Sequence, residues 1–182
     1  MATIKWLRSK GKVFGQYCVA DAAGRGHLEA IKEMRRSKAR GTGESARARW
    51  SEAAVEQAAK GGHLEVVQWL RQNGCPWNST TCYLAAKGGH LDVFKWLRDQ
   101  DPPCPWNEGT CTDAAWGGHR NVLEWLRDQD PPCPLDIGEC AGAAWELISD
   151  GMTGRGDDIL QWIEELEENE SDEEFYDSDE EY

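Results

Sequence analysis

Cysteine and histidine are the residues of this sequence whose types and spacing could support chemistry. Six of the seven cysteines form three pairs with six residues between the two members, and each pair opens with Cys-Pro. The pairs are Cys75/Cys82, Cys104/Cys111 and Cys133/Cys140. Thiolate sulfur together with imidazole nitrogen is a ligand set of structural zinc sites, and two neighbouring thiols can form a disulfide. The spacing therefore raises zinc binding and redox chemistry as hypotheses.

The placement of these residues in the sequence favours a structural role instead. Cys82 and Cys111 recur at one position, which Val55 occupies in an earlier copy, and a free cysteine packs as a small hydrophobic side chain. Each of the four histidines follows a glycine, where an imidazole can hydrogen-bond the backbone groups freed by a turn. They are His27, His63, His90 and His119. We expect reduced thiols, no metal, no cofactor and no catalytic residue, and keep a zinc- or redox-active repeat protein as an alternative.

One sequence unit, copied three times, carries most of these residues. The copies AAKGGHLEVVQWLR, AAKGGHLDVFKWLR and AAWGGHRNVLEWLR begin at Ala58, Ala85 and Ala114. Weaker copies begin at Ala22 and Ala143. A repeated unit this short cannot bury its apolar face alone, so it must pack against its neighbours.

Each copy predicts a helix, a tight turn, a second helix and a proline-containing turn. The segment from Ser79 to Lys87 favours a short helix whose first amides Ser79 or Thr80 can cap. Apolar residues with helical spacing follow at positions 91, 94 and 97. Tryptophans that share one register are predicted to form a ladder between the repeats. They are Trp6, Trp69, Trp96, Trp125 and Trp162.

The pattern A-A-x-x-G-H-x-x-V-x-x-x-L resembles the second half of the ankyrin repeat motif, over most of residues 14–166. The chain departs from that motif at 80–83, which reads TTCY where ankyrin repeats have TPLH, and its period is shorter than their ~33 residues. The C-P-W-N element resembles variant repeats that are abundant in large arrays from algae, oomycetes and giant viruses. The resemblance implies an all-α, ankyrin-like helical repeat solenoid that binds proteins and has no enzymatic activity.

The resemblance also places the partner-binding surface on the concave face formed by the first helices. The outward positions there differ from copy to copy while the packing positions repeat, as a partner-selecting surface requires. In register they are Glu56, Gln57, Lys60, Tyr83, Leu84, Lys87, Thr112, Asp113 and Trp116. We predict a monomeric module or scaffold for an unidentified protein partner. The alternative is a fragment of a longer ankyrin array with no independent activity.

Charge and composition divide the chain into segments. We expect a partial leading repeat at 1–11, about five repeats at 12–166 with insertions at 35–50 and 145–153, and a disordered acidic tail at 167–182. The net charge of −13 lies mostly in the last 19 residues, which hold twelve acidic residues and no basic one. Such a segment is too charged to fold alone. Within it, Ser171 and Ser178 each precede three acidic residues and resemble sites for an acidophilic, casein-kinase-type enzyme.

The insertion at 35–50 is basic but lacks interleaved aromatic residues, so we interpret it as a solvated loop and not as a nucleic-acid patch. No apolar run is long enough to cross a membrane, and the N-terminus lacks the apolar stretch of a secretory signal. These features predict a soluble cytoplasmic or nuclear protein with neither a membrane nor a nucleic acid as its partner.

Overall fold

A computed structural model of the chain describes residues 16–36 and 51–177, with side chains to Glu168. The predicted leading repeat at 1–11 and most of the insertion at 35–50 lie outside the described residues. Every regular element within the described ranges is an α-helix, which confirms the predicted all-α, ankyrin-like helical repeat. The helices are α1 (Gln16–Gly24), α2 (Leu28–Arg36), α3 (Glu52–Lys60), α4 (Leu64–Gln72), α5 (Ser79–Lys87), α6 (Leu91–Arg98), α7 (Glu108–Gly117), α8 (Arg120–Arg127), α9 (Ile137–Ser149) and α10 (Thr153–Asp177).

The described residues form two compact units: an N-terminal unit that ends at Trp106 and a C-terminal unit that begins at Asn107. Each repeat contributes a first and a second helix. In the N-terminal unit the first helices α1, α3 and α5 pack one against the next, and the second helices α4 and α6 pack together. In the C-terminal unit α7 packs against α9 and α8 against α10. Helices of the same kind are therefore neighbours within each unit.

Alanine pairs line the contacts between first helices. Ala58 and Ala59 in α3 and Ala85 and Ala86 in α5 are all fully buried. Because a methyl group keeps a helix surface nearly flat, these pairs let neighbouring backbones approach closely. Larger side chains are buried on the second helices, where two adjacent positions and a third one turn later face inward. They are Val66, Val67 and Leu70 in α4, Val93, Phe94 and Leu97 in α6, and Val122, Leu123 and Leu126 in α8.

Three tryptophans of the predicted ladder lie beside this core, whereas a fourth, Trp162, is buried in it. Trp6 lies outside the described residues. Trp69, Trp96 and Trp125 are half-buried, whereas the leucine that follows each one is fully buried. Trp96 meets the ring of Trp77, from the preceding proline turn, edge to face at a centroid distance of 6.3 Å. Successive helical residues point about 100° apart, so leucine occupies the centre of the apolar stripe and the indole its margin.

Histidines tie each inter-helix turn to the preceding repeat. His63 Nε2 lies 3.1 Å from the carbonyl oxygen of Gly24, and His90 Nε2 lies 3.0 Å from that of Lys60. In each case the acceptor is at the end of the previous first helix. The close approach requires glycine in the neighbouring turn, because a Cβ on Gly26 would lie 2.7 Å from His63 Nδ1 and the backbone there has φ of +70°. The predicted hydrogen-bonding role is confirmed for these two histidines.

The proline turns are held by an arginine and a cysteine. Arg71 donates to the carbonyl oxygen of Cys75 at 2.8 Å and stacks on Trp77, with its guanidinium carbon 4.2 Å from the ring centroid. Cys75 Sγ in turn donates to the carbonyl oxygen of Ser51 at 3.4 Å. Asn78, which ends this turn, is the N-cap residue of α5, so the prediction of a Ser79 or Thr80 cap was wrong by one or two positions.

The last helix, α10, runs into the acidic tail and ends at Asp177. Disorder of the tail at 167–182 stays a prediction. Glutamate is a good helix former, and a segment that extends a helix already packed in the fold needs no new nucleation. Residues 178–182, including Ser178, lie outside the described residues.

Candidate functional site

All nine predicted partner-binding residues lie at the surface of their unit. In the N-terminal unit Gln57, Lys60 and Lys87 are exposed, and the other three positions of α3 and α5 are half-buried. In the C-terminal unit Trp116 is exposed, while Thr112 and Asp113 of the same helix are half-buried. These side chains are accessible because the buried alanines of each first helix occupy its opposite side.

Two exposed tryptophans mark the C-terminal unit. Trp116 is 37% exposed and Trp145 is 62% exposed. Each directly follows a buried alanine pair, so the two occupy the same register position on the neighbouring helices α7 and α9. The equivalent residues in the N-terminal unit are Lys60 and Lys87. Two large aromatic side chains that are partly exposed at equivalent positions are typical of an interaction surface.

Trp145 was missing from the predicted residues, although a signal for it was present. The string A-A-W occurs at 114–116 and again at 143–145. The predicted insertion at 145–153 begins at this residue. In the structure α9 runs from Ile137 to Ser149, so Trp145 and the residues after it continue the first helix. The indole therefore projects from a regular helix.

The part of the C-terminal unit that carries the two tryptophans is rich in acidic residues. Residues 107–168 of the C-terminal unit contain fifteen acidic residues and three arginines. Arg120 pairs with Glu124 at 2.7 Å and Glu165 at 2.5 Å, and its hydrogen bond with Glu124 is the main reason that its pKa is raised. Arg155 donates to the carbonyl oxygen of Gly117 at 3.4 Å. By composition this part of the unit therefore has a large excess of negative charge.

Bare backbone adjoins Trp145 on the same side of α9. Gly142 lies three residues before it, is exposed, and would place an added Cβ within 4 Å of no other atom. Neither close packing nor a left-handed conformation requires glycine here. A glycine inside a helix costs about 0.5–1 kcal/mol relative to alanine, and folding contacts do not explain that cost at this position. A partner segment could approach the helix closely at this point.

The fold pairs the cysteines differently from their sequence spacing. Cys82 on α5 is bonded to Cys104 of the following proline turn, so the expectation that all thiols are reduced was wrong for this pair. Their Cα atoms lie 6.3 Å apart, within the usual range for a disulfide. The register-equivalent thiols Cys111 and Cys133 hydrogen-bond in the C-terminal unit, and that contact and then burial raise the pKa of Cys111. In both pairs, the proline turn that follows a repeat's second helix returns to the first helix of the same repeat.

The remaining buried thiols have raised pKa values that make them poor nucleophiles. Burial raises the pKa of Cys75 to about 12 and that of Cys140 to about 11. Among residues 16–36 and 51–177, no three or more histidine, cysteine or carboxylate side chains cluster so as to hold a metal ion. Cys75, Cys111, Cys133 and Cys140 are all buried in the core of their units.

The paired helices, the glycine–histidine turns and the buried alanines agree with the comparison to known families. Residues 55–98 match the family model of ankyrin repeats (many copies). The match spans α4 and α5 with most of α3 and all of α6, where the ankyrin resemblance of the sequence is strong. Ankyrin repeats generally mediate protein–protein interactions and typically lack enzymatic activity. No curated protein matches the chain.

The comparison leaves the short-period C-P-W-N variant as an interpretation, because the family model describes ankyrin repeats as a whole. Of the helices that the structure describes, none is long and apolar enough to span a membrane.

Proposed function

We propose that this chain is a protein-binding module whose partner contacts the outward side of the first helices. The observation that carries the proposal is the exposure of Trp116 and Trp145 at one register position on the adjacent helices α7 and α9. Burying an indole in a complex contributes apolar area at little cost in conformational entropy, because its side chain has only two rotatable bonds. Tryptophan is accordingly enriched among the residues that dominate binding energy.

The other predicted positions support this function by their variation. Lys60 and Lys87 of the N-terminal unit stand at the register of the two tryptophans, while the alanines beside them repeat in each copy. The scaffold thus presents different chemistry from one repeat to the next. In the N-terminal unit Glu56, Gln57, Tyr83 and Leu84 are the proposed contact residues on α3 and α5. In the C-terminal unit Thr112 and Asp113 are proposed contact residues on α7, the helix that carries Trp116.

Affinity capture from native cells with quantitative mass spectrometry tests the proposal. The full chain should retain a partner that the Trp116→Ala/Trp145→Ala variant loses. Tyr17→Ala is the matched control, because Tyr17 is an 80% exposed aromatic residue on α1 and occupies none of the register positions proposed to contact the partner. A partner that the tryptophan variant retains as well as the unaltered chain does would contradict the assignment of this surface. If no protein distinguishes the folded chain from a blank matrix, the proposed function fails.

A further inference from the structure

We infer that the occupant of the tryptophan surface on the C-terminal unit is an arginine- or lysine-rich segment of a partner protein. This inference rests on the proposed function and specifies the chemistry of the partner. Three observations carry it: the charge of the unit, the partly exposed indoles and the bare backbone beside Trp145.

Charge complementarity is the first observation. Residues 107–168 include fifteen acidic residues and only three arginines. Arg120 forms ion pairs with Glu124 and Glu165, and Arg155 donates a hydrogen bond to the carbonyl oxygen of Gly117. Asp113 lies one turn before Trp116 on α7, and Glu146 follows Trp145 on α9. A cationic segment that reaches the indoles would therefore pass carboxylates on both helices, and these would raise its association rate at low salt.

The second observation is that, among the described residues, no cation stacks on the two partly exposed indoles. Elsewhere the chain covers tryptophan with arginine: Arg71 stacks on Trp77 at 4.2 Å and Arg98 on Trp106 at 3.7 Å. Among the described residues, no arginine or lysine stacks in this way on Trp116 or Trp145. A guanidinium supplied by a partner can make the same cation–π contact, which strengthens when the pair is removed from water.

The third observation is the exposed backbone at Gly142, where no atom lies within 4 Å of the position that an added Cβ would take. Long arginine and lysine side chains lay their methylene stems along apolar surface while the charged group stays hydrated. A glycine one turn from Trp145 leaves room for such a stem beside the indole. An acidic or a neutral partner would use the indoles but would gain nothing from the surrounding carboxylates.

A fluorescence titration with defined probes tests the inference. The probe is a fluorescein-labelled peptide of alternating arginine and leucine, and its counterpart has glutamate in place of every arginine. The full chain should bind the arginine peptide, with affinity that falls as salt is raised, and should not bind the glutamate peptide. Trp116→Ala/Trp145→Ala should weaken binding about tenfold or more, as expected for paired hot-spot residues. Tyr17→Ala should leave it unchanged.

Further variants separate the surface from general acidity. The tryptophan variant keeps the acidic segment after residue 168, so its loss of affinity cannot come from that segment. Asp113→Asn/Glu146→Gln should weaken binding at low salt and flatten its salt dependence. Equal binding of both peptides, or binding that the tryptophan variant retains, overturns the inference. So does sedimentation that shows the chain to associate with a second copy through Trp116 and Trp145.

The outcomes also separate this inference from the proposed function. If a captured partner depends on Trp116 and Trp145 but the arginine peptide does not bind, the cationic assignment fails and the module remains. If neither the captured proteins nor the peptide depends on these tryptophans, both proposals fail.

Discussion

His63 Nε2 lies 3.1 Å from the carbonyl oxygen of Gly24, which is 39 residues earlier in the chain. The contact joins the turn of one repeat to the end of the first helix in the repeat before it. It also satisfies a carbonyl that the helix itself leaves without an intrahelical partner. A side chain that recurs once per repeat thus serves the packing between repeats, and chemistry need not be invoked to explain its recurrence.

His63→Ala should lower the free energy of unfolding by about 1 kcal/mol, because it removes one hydrogen bond and leaves the Gly24 carbonyl unpaired. Urea unfolding followed by circular dichroism measures the change. Tyr17→Ala removes a large side chain of which 80% is exposed, and it should leave the unfolding midpoint nearly unchanged. Equal midpoints for His63→Ala and the unaltered chain would contradict the role assigned to this imidazole.

The sequence could predict that each histidine forms a hydrogen bond with the backbone, but not which carbonyl oxygen is its partner. The G-H string identifies the turn, whereas the acceptor belongs to another repeat and depends on the stacking distance set by the buried alanines. Cysteine pairing has the same limit. The spacing suggested Cys75 with Cys82, while the fold joins Cys82 to Cys104 because the proline turn of one repeat returns to its own first helix. Local periodicity predicts the helices, and contacts between elements decide the partners.

The Cys82–Cys104 disulfide predicts a count of free thiols. Alkylation of unreduced, denatured protein should modify five cysteines, and prior reduction should make all seven reactive. Because the bond closes a loop with a sequence separation of 22, its reduction should lower the free energy of unfolding by about 3 kcal/mol. Cys82→Val, which introduces the side chain that Val55 provides in an earlier repeat, should free Cys104 for alkylation. Seven reactive thiols without reduction would contradict this prediction.

Cys140 predicts a loss of stability in alkaline solution. Burial raises its pKa from 9.0 to about 11, so between these values the unfolded chain releases a proton that the folded chain retains. Deprotonation then stabilises only the unfolded state, and the free energy of unfolding should fall as the pH rises from about 9 to about 11. Cys140→Val should reduce this slope, as measured by urea unfolding at several pH values. An unchanged slope would show that other groups cause the loss.

Phosphorylation of Ser171 and Ser178 is a prediction from the sequence alone. Each serine precedes three acidic residues, and a phosphate would add about −1.5 to −2 charges at neutral pH. We expect mass spectrometry of the protein from native cells to find phosphate on both serines. An acidophilic casein-kinase-type enzyme should phosphorylate the purified chain but not the Ser171→Ala/Ser178→Ala variant. Both serines found unmodified in native protein would contradict the prediction.

Two helical glycines should respond to alanine in opposite ways. Gly142→Ala places a methyl group in open space and should raise the free energy of unfolding by about 0.5–1 kcal/mol, because alanine is the better helix former. Gly156→Ala should lower it by about 1–3 kcal/mol, because the added Cβ would lie 2.5 Å from Ile148 Cγ1 and 2.6 Å from the Ala144 carbonyl oxygen. The second glycine is required where α10 crosses α9, and the first is not.

The two variants distinguish a glycine that is needed for helix packing, Gly156, from one that leaves the helix surface open, Gly142. Urea unfolding measures both free energies, and the peptide titration measures binding by Gly142→Ala and by Gly142→Leu. If the partner approaches α9 at this point, Gly142→Ala should gain stability, and Gly142→Leu should bind the arginine peptide more weakly although it remains folded. A Gly142→Leu variant that binds as well as the unaltered chain would show that the glycine leaves no space that the partner uses.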